Sequence, residues 1–448
     1  MSSLLPFLAA LVIVLTSGCS LLSPSPGPVI PTPPPTRVPV SFADLELVTN
    51  PASDVAPRVD ADVQALLGTV SQQQLLAYVQ RLESFGTRNT FSETQREDFG
   101  IGAARRWIHS EFLRVNSGGL QVAWDDFPVN INGLITNQRN VIATLPGISN
   151  HRGMIVLMAH YDSRTVDPMD GTSAAPGASD NASGVAILLE LARLMSARSW
   201  NQTVVFAAFA AEEQGTFGSR HFVQDRLLDG RVFDAAIVSD IVGGRPGIPP
   251  AVRLFSPGPA TSNSRQLARY VDYVAGLYLP SFRVDLIDAQ DREGRYSDHR
   301  EFINVGVPAV RLTEFEEDFS SQHSGADTSD KLDYSYIAEI ARLNLAVAAN
   351  MAGAPPPPQP PTVAPMDEPG AYVLTWLPDA QAAGYAVSFR PVESPDYLPF
   401  RFVSAADAGN VALTDFDPNL NYGVSLAAIG PDGLIGQFTE EIVVGPSP

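Results

Sequence analysis

The sequence predicts an α/β fold, a mostly parallel central sheet flanked by helices and followed by a small all-β sandwich. Three observations carry that expectation. Continuous apolar runs alternate with helical periodicities through the middle of the chain, two proline tracts bracket that region, and the sequence changes character after the second tract.

From the N-terminus, the apolar run over residues 4–15 is too short to span a bilayer as a helix and has the length of a signal-peptide core. Thr16-Ser17-Gly18-Cys19 follows and resembles a bacterial lipobox, in which the cysteine is lipidated and becomes the mature N-terminus. Thr16 stands where an aliphatic residue is usual, and no basic residue precedes the apolar run. The expectation is a signal segment over 1–19 with lipidation at Cys19, hence an extracytoplasmic protein that is membrane-anchored or secreted. Residues 20–40 are dense in proline, which favours extended, unpaired backbone and suits a semi-rigid tether.

Residues 41–353 read as one α/β domain. SQQQLLAYVQRLE (71–83) and IGAARRWIHSEFLRV (101–115) place apolar side chains at helical spacing. NVIATL (140–145) and MIVLMAH (154–160) read as strands, the second ending in His160. SGVAILLELARLM (183–195) reads as a helix with Asn181 or Ser183 available as its cap. TVVFAAFAA leads into Glu212-Glu213, DAAIVSD ends in Asp240, and VPAVRL is a further short strand. Uninterrupted apolar strands alternating with helices indicate a sheet buried on both faces, and such sheets bind ligands at the carboxyl ends of their strands.

Residues 354–364 form the second proline tract and read as a linker. Beyond it, AYVLTWL, GYAVSFRP, NYGVSLAAIG and EEIVVGP are short segments separated by turn residues, the pattern of a β-sandwich over 365–448. Trp376, Tyr385 and Tyr422 there resemble the aromatic core of a fibronectin type III domain. No chemistry is visible in this part, and spacing or attachment is its expected role.

Composition narrows the function classes. The chain has 448 residues, 45% hydrophobic and 17% charged, enough for a large core and more than one domain. A net charge of −20 repels phosphate backbones and argues against a nucleic-acid partner. Cys19 is the single cysteine, so neither an intramolecular disulfide nor a thiolate metal site can form. Lys331 is the single lysine, and no basic patch appears.

The residues that carry chemistry are His160, Asp180, Glu212, Glu213, Asp240 and His323. Imidazole nitrogen and carboxylate oxygen are the ligands zinc accepts, and two ions can share one carboxylate and one water. His160 with carboxylate partners would serve one ion, His323 with a carboxylate the other, and an Asp would lie between them. Each residue has a structural alternative. Asp180 could cap the helix that follows, Glu212-Glu213 could be a solvated helix start, Asp240 a turn residue and His323 a loop histidine. Their convergence at strand ends favours the metal reading, and Asp162 stands where a carboxylate can orient the His160 imidazole.

HYDS (160–163), GASDNASGVA (177–186), AAEEQGTFGS (210–219), VSDIVG (238–243), SDHREF (297–302) and QHSGADTSDKL (322–332) together resemble the M28 metallopeptidases, co-catalytic zinc aminopeptidases and their relatives. The resemblance runs from about residue 70 to 352. It implies a zinc-exopeptidase fold and two zinc ions per chain. His160 would be a terminal ligand of one ion, Asp180 the bridge, Glu213 and Asp240 one further ligand on each ion, and His323 the ligand completing the second. It also implies Glu212 as general base, Asp162 as the partner of His160, and Tyr296 as a candidate oxyanion donor. Asp298 and His299 match the motif, with a structural role expected at least as much as a catalytic one. The expected activity is removal of N-terminal residues from peptides or proteins. Carboxypeptidases, glutaminyl cyclases (which use one zinc) and inactive binding scaffolds are the alternatives on the same fold.

Overall fold

The computed structural model describes residues 56–446. The apolar run at 4–15, Cys19 and the 20–40 tether lie outside the described residues. Among the described residues no helix is long and apolar enough to cross a membrane.

Three helices lead in: α1 (Ala61–Leu67), α2 (Gln72–Glu83) and α3 (Gly100–Val115). Asp60 and Ser71 cap the first two through their side chains, accepting from Val63 and Gln74 amides. A long hairpin follows, β1 (Gln121–Ile131) and β2 (Leu134–Leu145), closed by Asn132-Gly133 with both residues at positive φ, the dipeptide such two-residue turns demand. The remaining elements are β3 (Gly153–His160), α4 (Ser183–Met195), β4 (Thr203–Phe209), α5 (Phe217–Leu228), β5 (Val232–Ser239), β6 (Ala251–Ser256), α6 (Asn263–Tyr278), β7 (Arg283–Asp288), α7 (His299–Ile303), β8 (Ala309–Glu314) and α8 (Tyr334–Gly353).

The eight strands form one sheet in the order β1-β2-β4-β3-β5-β8-β6-β7. Its centre, β4-β3-β5-β8, is parallel, and antiparallel pairings join the hairpin and the β6-β7 pair. The helices expected at 71–83, 101–115 and 183–195 and the strands ending at the candidate ligands are all present. The sheet also contains β1, β6 and β7, which the apolar pattern does not announce. α4 and α8 pack on one face, while α5 and α7 cover the other over a smaller core that includes Val156, Val205, Phe222 and Phe302. α4 is buried almost all round, between the sheet and neighbouring helices, which explains its nearly continuous apolar sequence. Neither candidate cap takes the N-cap position, which is Ala182, although Asn181 Oδ1 accepts from the Gly184 amide at 3.1 Å.

After α8 come β9 (Thr362–Pro365), β10 (Tyr372–Thr375), β11 (Gly384–Pro391), β12 (Arg401–Ser404), β13 (Asn410–Leu413), β14 (Tyr422–Ile429) and β15 (Ile442–Val444). They form two antiparallel sheets, β13-β10-β9 and β12-β11-β14-β15, with a shared core of Leu374, Trp376, Tyr385, Val387, Val424 and Leu426. β11 and β14 are buried on both faces. Tyr385 and Val387 point into the sandwich, whereas Ala386, Ala427 and Ile429 join the core of the α/β body together with Phe400, Ile435 and Phe438. Ala354 and Pro355, at the start of the second proline tract, are likewise buried.

Candidate metal centre

The parallel register of β3, β4, β5 and β8 brings their carboxyl ends to one edge of the sheet. His160 is the last residue of β3, Glu212 and Glu213 lie just past β4, and Asp240 directly follows β5. Asp180 sits in the turn over Ala178–Ala182 that enters α4, where the Asp180–Asn181 peptide is cis. Gly177 opens this turn at φ +53°, and a β-carbon there would lie 2.5 Å from the Asp180 carbonyl and 2.6 Å from Ser163 Cβ. His323 comes from the loop after β8.

The six residues meet. His160 Nε2 lies 3.3 Å from Asp180 Oδ1 and 3.4 Å from Asp240 Oδ1. His323 Nε2 lies 3.1 Å from Asp180 Oδ2 and 3.4 Å from Glu213 Oε2. Asp180 therefore stands between the two imidazoles, one oxygen toward each. His160 Nδ1 lies 3.1 Å from the Asp162 carbonyl, and the Asp162 carboxylate accepts the amides of Glu212 at 3.2 Å and Glu213 at 3.0 Å. Asp162 thus orients both the imidazole and the glutamate pair. All six residues line a cavity of about 200 Å³, with Tyr296 on its rim, 48% exposed.

Electrostatics here are lopsided. Burial alone would raise the pKa of Asp180, but the imidazoles of His160 and His323 hold it well below the ordinary carboxylate range. Burial opposes charge on His160, yet Glu212 and Asp240 hold its pKa well above that of a free imidazole. Burial pushes Glu212 well up against the pull of His160, and burial with Asp180 raises Glu213 to about 7. Glu213 Oε1 has no hydrogen-bond partner among the described residues. Among the described residues, Asp162, Asp180, Glu212, Glu213 and Asp240 face only two arginines at ion-pair distance, Arg164 on Glu213 at 2.6 Å and Arg311 on Asp240 at 3.0 Å. Ligand atoms of His160, Asp180 and Glu213 all lie within 4.8 Å of one another. A nitrogen-and-oxygen donor set with carboxylates in excess fits a divalent cation such as zinc.

Backbone strain marks the same place. Ala211, Ile241 and His323 have φ of +59°, +56° and +53°, although none is glycine. Each is a candidate ligand or lies next to one of the six residues. Strained backbone persists where its surroundings over-determine it, and it concentrates at functional sites.

Several supporting residues escape sequence reasoning. Arg311, wholly buried on β8, bonds Asp240 and, at 2.5 Å, Asp291. Its signal was a lone arginine in an apolar strand, which demands a partner. Asp327 accepts the amides of Ser179 at 2.8 Å and Asp180 at 3.0 Å and so shapes the Asp180 turn. Arg88 is wholly buried and donates to the carbonyls of Leu82, Tyr161, Pro176 and Gly177, tying the chain before α3 to the exit of β3 beside His160 and to the entry of the Asp180 turn. Asp298 and His299 are buried behind the cavity. His299 donates to the Gln290 carbonyl at 2.7 Å, and burial lowers its pKa to about 4.

Residues 140–348, which include all six candidate residues, match the model of peptidase family M28. A probable zinc metalloprotease of Pyricularia oryzae is 33% identical over 88% of this chain and 89% of its own length. Another, of Leptosphaeria maculans, is 31% identical over 84% of this chain and 96% of its length. Among solved structures, the LapA aminopeptidase of Legionella pneumophila superposes with a TM-score of 0.53 at 21% identity, covering 64% of this chain and 74% of that one. A glutaminyl cyclase of Porphyromonas gingivalis superposes at 0.51 and 20% identity, covering 62% and 97%. With the motifs, the clustered candidate residues and relatives aligned along most of their length, the chain belongs to peptidase family M28 and is a metallopeptidase.

Proposed function

We infer that the chain is an exopeptidase working with two bound zinc ions and that it removes N-terminal residues from peptides or proteins. The observation carrying this reading is Asp180, whose two oxygens face different imidazoles at 3.3 and 3.1 Å. A carboxylate so shared suits a bridge, with His160 and Asp240 on one side and His323 and Glu213 on the other. Ions held there would polarise the scissile carbonyl and acidify a water.

The chain's own groups supply the rest. Glu212 faces the cavity, and its raised proton affinity suits a base that takes a proton from the attacking water and returns it to the leaving amine. Asp162 keeps His160 and the glutamate pair in register. Tyr296, on the rim, is the candidate donor to the developing oxyanion. The aminopeptidase reading is preferred over a carboxypeptidase because the motifs around these residues resemble the co-catalytic zinc aminopeptidases. The enzyme would act outside the cytoplasm, exported by the 4–15 segment and either secreted or anchored through Cys19. The intact mass of the mature N-terminus distinguishes those two fates.

The test is metal content together with turnover of an aminoacyl-nitroanilide. Two zinc equivalents and released nitroaniline are expected, with zinc kept and turnover lost in Glu212→Gln and zinc lost in His323→Ala. Equal zinc loss in both variants overturns the division of roles. One zinc with cyclisation of N-terminal glutamine would make the protein a glutaminyl cyclase, C-terminal trimming a carboxypeptidase, and absence of both metal and turnover a binding scaffold.

A further inference from the structure

One wall of the cleft has the opposite sign. Arg292, Arg295, Tyr296 and Arg300, from the loop after β7 and the start of α7, line the cavity into which the ligand candidates face. Arg292 is neutralised by Asp291 at 3.1 Å and by Glu317. Arg164 and Arg311, deeper in, are likewise paired with carboxylates. Arg295 and Arg300 are not. Arg295 Nη1 donates to the neutral Gln322 Oε1 at 2.7 Å, and the Arg300 guanidinium lies 4.4 Å from the centroid of the Tyr296 ring. Neither has a carboxylate partner among the described residues. In a chain with 49 acidic and 29 basic side chains, partners are plentiful, so two unpaired cations beside one acidic cavity stand out.

Both arginines are held without being quenched. A hydrogen bond to the Gln322 side-chain amide orients Arg295, and an aromatic face supports Arg300, leaving donors of each planar fork available. We propose that Arg295 and Arg300 form a carboxylate-binding subsite that selects substrates bearing a carboxylate next to the scissile bond. That carboxylate is either an acidic N-terminal side chain or the free C-terminus of a dipeptide. The inference rests on the exopeptidase reading and deepens it by naming a substrate class. Charge-assisted bonds from arginine to carboxylate give a preference on the order of tenfold at a partly exposed site, and salt weakens it.

The experiment uses the zinc-loaded full chain. kcat/KM is compared for glutamyl- and glutaminyl-nitroanilide, which differ in charge and hardly in size, and for Ala-Ala against its C-terminal amide. At least one charged member is expected to win by about tenfold, with the advantage shrinking as sodium chloride is raised. A preference confined to the glutamyl anilide identifies the side chain as the source, and one confined to free Ala-Ala identifies the C-terminus. Arg295→Gln and, separately, Arg300→Gln should move the ratio toward one, and Arg295→Lys should retain part of it. If the neutral member of both pairs is cleaved at least as fast by the wild type, the subsite is refuted while the exopeptidase reading stands. Failure to cleave any of the four substrates overturns both.

Discussion

Two places in the molecule bury several charges together, and they do so in opposite ways. At the junction of the catalytic body with the C-terminal sandwich, Glu441 receives Arg390 through two bonds, at 3.0 and 2.7 Å, and Arg269 at 3.1 Å, all three side chains being at most 1% exposed. Ala260 accepts from both arginines, and Arg390 Nη1 donates to the carbonyls of Pro391, Val392 and Ser394, while Arg269 Nε has no hydrogen-bond partner among the described residues. In the cleft, carboxylates outnumber cations and one buried oxygen of Glu213 lacks a partner among the described residues. A buried cluster in which both oxygens of the carboxylate meet arginines holds parts together. One left open in a single sign requires a ligand of the other sign.

The sharpest way to break this comparison is to remove one acid from each cluster. Glu212→Gln should lower kcat/KM by about 10²–10⁴-fold with metal content unchanged, read by steady-state kinetics and elemental analysis. Glu441→Ala should destabilise the fold by about 3–5 kcal/mol in denaturant melts, because two buried arginines lose their counter-charge. Wild-type stability in the Glu441→Ala variant would end the case for a cluster that holds the fold together.

A pH series on the metal-stripped chain sharpens the contrast. His160, Glu212 and Glu213 all have folded-state pKa values above their ordinary ones, as do Asp298 and Glu314, both at about 7. Burial shifts His299, to about 4, and His109 the other way, but the raised groups outnumber them, so on balance the folded state holds more protons than the unfolded state above about pH 4.5. Stability should be fully present at the acid end of that window and decline as pH rises toward and past 7. Asp180 and Asp240 shift downward and so act only at lower pH, where their contribution is lost as they protonate. Zinc should flatten the decline between about pH 5 and 8, since ions take over the balancing of the carboxylates. A slope unaffected by zinc would count against the site as the metal's seat. The smallest effect is expected from Glu212→Gln in the stripped chain, a modest rise in melting temperature as one repelling carboxyl goes, against the fall expected at Glu441.

Much of this was legible in the order of residues. β3, β4 and β5 are buried on both faces, so their sequences are unbroken apolar runs, and the polar residue that ends each run announces the edge where chemistry gathers. The flanking motifs then imply, by resemblance, which of these residues are the proposed ligands. β6 and β7 are short and carry Arg253, Arg283 and Asp285, so burial leaves no clean pattern in them. The Asn132-Gly133 turn between β1 and β2 was a visible signal of a hairpin. Arg88 and Asp327 act on main-chain carbonyls and amides of distant loops, and no local spacing encodes such partners. The continuous burial of β11 and β14 follows from docking against the catalytic body, which reading the C-terminal region alone does not reveal.

The left-handed residues at Ala211, Ile241 and His323 have a bearing on how this protein can change. An L-residue in that conformation costs about 1–2 kcal/mol, so the strand exits hold a standing deficit that the rest of the fold must offset. Glycine at these positions would relieve that deficit and at the same time loosen the backbone that aims His323, Asp240 and Glu212. Tolerance of mutation elsewhere depends on reserves such as the Arg269–Glu441–Arg390 cluster remaining intact.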